Sequence, residues 1–164
     1  YNSMKHRIKA NIYKYYRIYK NVLFNTLILN SLLNYLAYHL YVKNTILVIN
    51  SDNELSFHKI AKTIFIYFAI FDVYFYFAHR LLHNEYLFRK IHYIHHEMTY
   101  PIAFGELYTH PIEYIFANYL PMFLGFVFYK CDILTLNIWV MLGSFVVSLS
   151  HTNYRDNDTS FKHI

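Results

Sequence analysis

The chain has 164 residues, of which 56% are hydrophobic and 21% aromatic, and its formal net charge is +5. This length fits one domain, and the composition excludes an ordinary water-soluble domain, because such a chain is too apolar for a soluble protein of its size. The single cysteine, Cys131, excludes an internal disulfide and a thiolate cage for zinc. A bound metal would therefore take nitrogen and oxygen ligands.

Basic residues mark the first part of the chain, residues 1–21. They are Lys5, Arg7, Lys9, Lys14, Arg17 and Lys20. Because lysine and arginine accumulate on the cytoplasmic side of membrane proteins, we predict a basic cytoplasmic N-terminal segment. A nucleic-acid patch is the alternative interpretation, but a charge run next to a span is typical of an interface anchor, and the chain has no nucleic-acid recognition motif.

Four weakly charged stretches are predicted to form membrane helices: Val22 to Val42, Ile60 to Ala78, Tyr114 to Tyr129, and Ile133 to Ser150. A spanning helix needs about 20 apolar residues. The first two stretches reach that length, and the last two form a short hairpin that either crosses or re-enters. We therefore predict an all-α integral membrane bundle of about four apolar helices with a cytoplasmic histidine-rich cap. We interpret Asn25, Asn30 and Asn34 in the first stretch as tolerated polar residues.

Histidines recur at helical spacing between the second and third stretches. His79 and His83 are four residues apart, and His92, His95 and His96 repeat spacings of three and four, with Asn84-Glu85 as the predicted break between two helices. Residues at these spacings share a helix face, and clustered imidazoles suit a transition metal. Five imidazoles exceed the four ligands of one zinc ion, which favours two metals. We interpret the isolated His6, His39 and His58 as surface or packing residues.

Further polar residues are candidates for supporting this cluster. Asp72 and Tyr76 extend the His79–His83 stripe backward, and a carboxylate inside a span is costly unless it contacts a metal, a ligand or another helix. His110, followed by Pro111 and Glu113, either marks a helix start or joins the site. His151, at the end of the fourth stretch, is either a ligand or an interfacial histidine.

With these motifs in hand, the chain from about Asp72 to Ile164 resembles the fatty acid hydroxylase/sterol desaturase superfamily of membrane di-iron oxygenases. The resemblance rests on His79-Arg80-Leu81-Leu82-His83, His92-Tyr93-Ile94-His95-His96-Glu97, Glu106-Leu107-Tyr108-Thr109-His110-Pro111-Ile112-Glu113, and His151-Thr152-Asn153-Tyr154. Within the superfamily the chain looks most like the C-4 methylsterol oxidases. It departs from many relatives at Asn153, where they have glycine.

The resemblance implies a set of metal ligands: His79, His83, His92, His95, His96, His151 and His163. His163 would open the last histidine box of the family, which is cut at Ile164, so we expect residues 1–164 to be a single but incomplete hydroxylase domain. The family also implies two non-haem iron ions, O₂ as cosubstrate, and an endoplasmic reticulum membrane. In the family, electrons come from NAD(P)H through cytochrome b5 or a similar reductase system. This chain has no nucleotide-binding glycine motif, which is consistent with such an external donor.

The implied reaction is O₂-dependent hydroxylation of an unactivated C–H bond in a membrane lipid, with a sterol as the first choice. A fatty-acid or sphingolipid hydroxylase and a sterol C-5 desaturase are alternatives with the same site. A bis-histidine haem protein is a weaker alternative, because it does not explain the adjacent pair His95-His96. A catalytically inactive metal- or lipid-binding membrane protein is the alternative of another class.

Overall fold

The computed structural model describes residues 2–43, 56–98 and 103–151, with the backbone alone described at 2–11, 41, 42 and 103. These residues form helices and turns, which confirms the predicted all-α class. The α-helices are α1 (Asn2–Leu23), α2 (Asn30–Ala37), α3 (Phe57–Leu82), α4 (Glu85–Leu87), α5 (Tyr93–His96), α6 (Pro111–Glu113), α7 (Leu120–Phe128) and α8 (Ile133–Ser150). Wider π-helical turns lie at Phe24–Leu29, Tyr38–Val42, Phe88–His92 and Tyr114–Tyr119, and a 3₁₀ turn at Ala103–Leu107.

Three helical segments of the described chain are long and apolar enough to cross a membrane: Phe57–Leu82, Pro111–Phe128 and Ile133–Ser150. At a rise of about 1.5 Å per residue, the two shorter ones reach about 27 Å, close to the roughly 30 Å of a hydrocarbon core. The predicted hairpin therefore consists of two helices of spanning length. The predicted first span lies within the helical run 2–42, and its crossing of the membrane stays a prediction.

Buried aromatic side chains hold the three apolar helices together. Tyr67 on α3, Phe126 on α7 and Trp139 on α8 are fully buried. The Tyr67 hydroxyl donates to the Tyr129 carbonyl at 2.6 Å, and Trp139 Nε1 donates to the Met122 carbonyl at 2.8 Å. Because the polar tip of each large ring has a partner, the rings can fill the core without an unsatisfied donor.

The helical run 2–42 packs on the histidine-bearing end of the bundle through amide side chains. Asn25 is fully buried, and its Nδ2 donates to the carbonyls of Leu107 and Thr109 at 3.0 Å each. Further along, Asn34 accepts a hydrogen bond from the Tyr119 hydroxyl at 3.1 Å. The interpretation of these asparagines as merely tolerated was therefore wrong for Asn25, because the two carbonyl partners offset the cost of burying its amide nitrogen. Asn34 is exposed.

Close packing between α3 and α7 depends on Gly125. A Cβ atom at Gly125 would lie 2.7 Å from Cγ and 2.8 Å from Cδ1 of the Tyr67 ring. We expect Gly125→Ala to lower the free energy of unfolding by about 1–3 kcal/mol, because the buried ring cannot move aside without breaking its hydrogen bond. Thermal unfolding in detergent micelles, followed by circular dichroism, measures the effect.

Gly143→Ala is the matched control. Its Cβ would meet Met122 Cε at 2.6 Å, the far end of a flexible side chain that can turn away. We expect a clearly smaller loss of stability than for Gly125→Ala. Equal losses in the two variants would contradict the importance of the Tyr67 contact.

Candidate metal centre

Four imidazole nitrogens form a chain of short contacts where α3 ends and α5 begins. The Nε2 atoms of His79 and His83 are 3.0 Å apart, those of His83 and His92 are 3.3 Å apart, and those of His92 and His96 are 3.1 Å apart. The ligating atoms of His79, His83 and His92 all lie within 4.8 Å of one another. The structure thus brings four of the predicted ligands together.

These spacings fit nitrogen ligands around a metal ion. Metal–nitrogen bonds of about 2.0–2.1 Å separate neighbouring nitrogens by about 2.9 Å at right angles and about 3.4 Å at the tetrahedral angle. All three observed contacts fall inside this range. Imidazole nitrogen is also a donor that suits iron, zinc and copper. Successive rings therefore have the spacing and the chemistry of metal ligands, and His79, His83 and His92 form the group whose ligating atoms lie close to one another.

Local signals in the sequence explain why the histidines converge. His79 and His83 lie four residues apart at the end of α3, and Asn84 caps the following helix by accepting a hydrogen bond from the Tyr86 amide at 3.1 Å. The predicted break at Asn84-Glu85 is therefore where the chain turns. The π-helical turn Phe88–His92 then precedes α5, and such turns are frequent at functional sites.

The imidazole of His92 is held by a buried carboxylate. Its Nδ1 lies 2.8 Å from Glu113 Oε1, and the two side chains are 0% and 4% exposed. An Nδ1–H that donates to this carboxylate leaves the Nε2 lone pair facing His83 and His96. A carboxylate behind a histidine is the usual support of a metal ligand. Glu113 thus lies where a supporting residue is expected.

His95 and His151 form a second part of the cluster. Their ring centroids are 5.3 Å apart, and the His95 ring stacks on His92 at 5.6 Å. Burial, with the nearby imidazoles His151, His92 and His96, lowers the pKa of His95 to about 3, and a backbone hydrogen bond at Tyr108 opposes this shift. Burial also lowers the pKa of His83. Both rings are therefore neutral at pH 7, as a metal ligand must be.

Glu106 is a buried residue of this region that we did not select as a site residue from the sequence. Its Oε1 accepts a hydrogen bond from Ser148 at 2.9 Å, and its Oε2 lies 3.9 Å from His151 Nδ1. Burial raises the pKa of Glu106, while Ser148 and His151 lower it. His151 Nδ1 donates to the Val147 carbonyl at 3.0 Å, so in the neutral ring the lone pair lies on Nε2. The sequence feature that could have identified Glu106 as a site residue is its position at the start of the Glu106–Glu113 motif.

Asp72 and Tyr76 are not brought into contact with the histidines. Asp72 is exposed, and seven residues of helix separate it from His79 by about 10 Å along the axis, beyond hydrogen-bond reach. The Tyr76 hydroxyl instead accepts a hydrogen bond from Arg80 at 2.9 Å. The Phe75 ring stacks on His79 at a centroid distance of 5.3 Å. Asp72 and Tyr76 thus share the helix face of the histidines by spacing, but Asp72 lies too far along α3 to contact them.

The remaining two predicted residues have different outcomes. His110 caps α6, because its Nδ1 accepts a hydrogen bond from the Ile112 amide at 3.2 Å and Pro111 occupies the first turn. This geometry matches the helix-start interpretation. His163, like Asn153, lies outside the described residues, so its place in the site stays a prediction.

Comparison with known proteins identifies the family. The fatty acid hydroxylase family model matches residues 64–164, and the chain belongs to that family. It is 36% identical over 99 residues to fatty acid hydroxylase domain-containing protein 2 from Homo sapiens, covering 60% of this chain and 30% of that protein. It is 30% identical over 99 residues to methylsterol monooxygenase 2-2 from Arabidopsis thaliana, covering 60% and 37% of the two chains.

A third relative extends further along this chain. Fatty acid hydroxylase ahd1 from Mycosarcoma maydis is 29% identical over 148 residues, covering 86% of this chain and 37% of that protein. The chain therefore spans about a third of the length of these curated relatives. No solved structure matches it. The comparisons confirm the resemblance inferred from the histidine motifs at the level of the superfamily.

The buried Glu113–His92 contact generates a prediction on metal affinity. We expect Glu113→Gln to weaken Co²⁺ binding by about 10-fold or more, because a neutral amide supports the imidazole less well than a carboxylate does. Titration of the purified full-length protein with Co²⁺, followed by visible absorbance, measures it. Glu85→Gln is the control, since Glu85 is an exposed carboxylate in an ion pair with Arg89. Equal Co²⁺ affinity in the two variants would contradict a supporting role for Glu113.

Proposed function

We propose that this chain forms the metal-binding part of a membrane enzyme that uses O₂ to hydroxylate an unactivated C–H bond in a membrane lipid. The observation that carries the proposal is the chain of three Nε2 contacts that links His79, His83, His92 and His96 at one end of a bundle of apolar helices. The family match supports it, because relatives carry the names hydroxylase and monooxygenase.

The proposed cofactor is a pair of non-haem iron ions. In this assignment His79, His83, His92 and His96 hold one ion, while His95 and His151, together with His163, contribute to the second. When bound, the iron ions would supply the ability to activate O₂ for oxidation of a C–H bond. The ligands are divided in this way because Nε2 contacts of 3.0, 3.3 and 3.1 Å link the first four rings, whereas His95 pairs with His151 through a separate ring contact.

The side chains around the cluster perform the tasks that such a site requires of the protein. Glu113 keeps the proton on Nδ1 of His92, so that the Nε2 lone pair stays available. Phe75 covers His79 with an aromatic ring and keeps water from that side. Glu113 and Phe75 thus orient the histidines that they contact. Because His92 is buried, its contact with the Glu113 carboxylate is shielded from water.

An apolar groove that begins about 16 Å along α3 from His79 supports a lipid substrate. It has a volume of about 540 Å³ and lies between α3 and α8, with Ile64, Phe65, Phe68 and Leu142 among its lining residues. Phe68 precedes His79 by about three helical turns, which places both on the same side of α3. A lipid tail in this groove would therefore lie on the helix face that carries the histidines.

A sterol is the substrate we propose first, and an acyl lipid the second candidate. Methylsterol monooxygenases from Arabidopsis thaliana match at 30–34% identity, and the His110-Pro111-Ile112-Glu113 block resembles that of the C-4 methylsterol oxidases. The fatty acid hydroxylase ahd1 match, which covers 86% of this chain, favours the acyl lipid.

The test uses the full-length protein in nanodiscs, supplied with iron, a reductase system and ¹⁸O₂, with sterols and acyl lipids in separate preparations. We expect oxygen-18 in the sterol product, and we expect His83→Ala to abolish it. His58→Ala is the matched control, because His58 is an exposed histidine at the opposite end of the same helix. Label in acyl chains alone would contradict the sterol assignment. Bound zinc without any oxidised lipid would favour the inactive metal-binding alternative.

We further propose that the histidine-bearing end lies on the cytoplasmic side of the endoplasmic reticulum membrane, where cytochrome b5 or a similar donor would supply electrons. The basic segment 1–21 supports this orientation. In intact microsomes, with Cys131 replaced by serine, we expect Lys20→Cys to react with a membrane-impermeant maleimide. We expect Lys130→Cys, which lies between α7 and α8, to react after permeabilisation. The reverse order of labelling would contradict the orientation.

A further inference from the structure

The N-terminal helix contacts the metal-binding end through a polar stripe of its own. Arg17, Asn21 and Asn25 follow one another at intervals of four residues, so they share one face of the helical run 2–42. Asn21 and Asn25 donate to the carbonyls of Leu107 and Thr109, and Arg17 forms an ion pair with Glu97. Each of the three side chains thus has a defined partner next to the histidine cluster.

Glu97 lies where this stripe meets the second histidine motif. It directly follows His96 at the end of α5, and its amide donates to the Tyr93 carbonyl at 3.0 Å. Its Oε2 accepts hydrogen bonds from Arg17 and, at 2.9 Å, from the hydroxyl of Tyr108. Tyr108 is 2% exposed. A single carboxylate therefore joins the N-terminal helix, the 103–110 segment and the end of α5.

We propose that Arg17 is a positioning residue of the metal centre: through Glu97 it holds the His95-His96 segment against Tyr108. Arg17 lies outside residues 64–164, which match the family model, so the family assignment says nothing of this role. The inference rests on the proposed function, since it requires that His95 and His96 bind metal. It does not require that any particular lipid be the substrate.

The charge and burial of the three groups explain why Arg17 matters. The Glu97 side chain is 29% exposed, and Tyr108 alone offers it one neutral hydrogen bond. The Arg17 guanidinium adds a full positive charge, and hydrogen bonds between charged groups are stronger and more directional than neutral ones. An exposed ion pair contributes little to overall stability, so its effect should appear in the placement of the attached segment.

The test compares Arg17→Gln, Arg17→Lys and the exposed control Lys20→Gln in the full-length protein, purified in nanodiscs without metal and titrated with Co²⁺. We expect Arg17→Gln to weaken Co²⁺ binding by about 10-fold and to alter the visible spectrum of the bound Co²⁺, as loss of an outer support does. Arg17→Lys keeps the charge and should recover most of the affinity. Lys20→Gln should behave as wild type.

A second readout separates positioning from a general loss of stability. Hydrogen exchange of the metal-free protein should be faster at residues 93–98 in Arg17→Gln than in wild type, while α8 exchanges as before. The charge-swapped pair Arg17→Glu with Glu97→Arg should restore slow exchange at residues 93–98. Wild-type Co²⁺ affinity and wild-type exchange in Arg17→Gln would overturn the inference. If the wild-type protein itself bound no Co²⁺, the proposed function would fail instead, so the two failures are distinguishable.

Discussion

The buried contact between His92 and Glu113 is the interaction on which the arrangement of the histidines depends. A neutral imidazole has one N–H and one lone pair, so two Nε2 atoms in contact must supply one donor and one acceptor. His92 Nε2 contacts two other Nε2 atoms, those of His83 and His96. With the Nδ1 proton directed to Glu113, His92 Nε2 is an acceptor toward both. These histidines would hold a cation through their Nε2 lone pairs, which would remove the competition for protons.

The rest of the fold serves to bring helix ends to this point. The aromatic core around Tyr67 and Trp139 fixes α3 against the hairpin of Pro111–Phe128 and Ile133–Ser150. Because α3 and α8 end where α6 begins, the same end of the bundle carries His79, Glu113 and His151. The polar stripe on the N-terminal helix then covers the 107–109 carbonyls, which would otherwise need water. An apolar bundle thus carries a polar cap, and the cap also holds buried side-chain atoms without a hydrogen-bond partner, among them Glu106 Oε2 and Glu113 Oε2.

Helical periodicity made much of the site predictable from the sequence. His79, His83, His92 and His96 were predicted because their spacings repeat within a short segment, and Glu113 because it belongs to the His110-Pro111-Ile112-Glu113 block that resembles the C-4 methylsterol oxidases. Periodicity gives the direction of a side chain but not what lies opposite it, so Asp72 was placed in the site although its depth in α3 separates it from the histidines. Asn25 was misread for the same reason: its partners, Leu107 and Thr109, lie more than 80 residues away.

Glu106 and Arg17 show more clearly what the sequence alone does not predict, because their roles depend on contacts between segments that are distant in the chain. Glu106 reaches Ser148, 42 residues further on, and Arg17 reaches Glu97, 80 residues further on. The two parts of the histidine cluster differ in the same way. The chain of three Nε2 contacts is built within residues 79–96, where local helix signals bring the four rings together. The pair His95 and His151 forms only when α8 packs on the 103–107 turn, so this second part depends on the tertiary fold and on the buried carboxylate of Glu106 that joins those two elements.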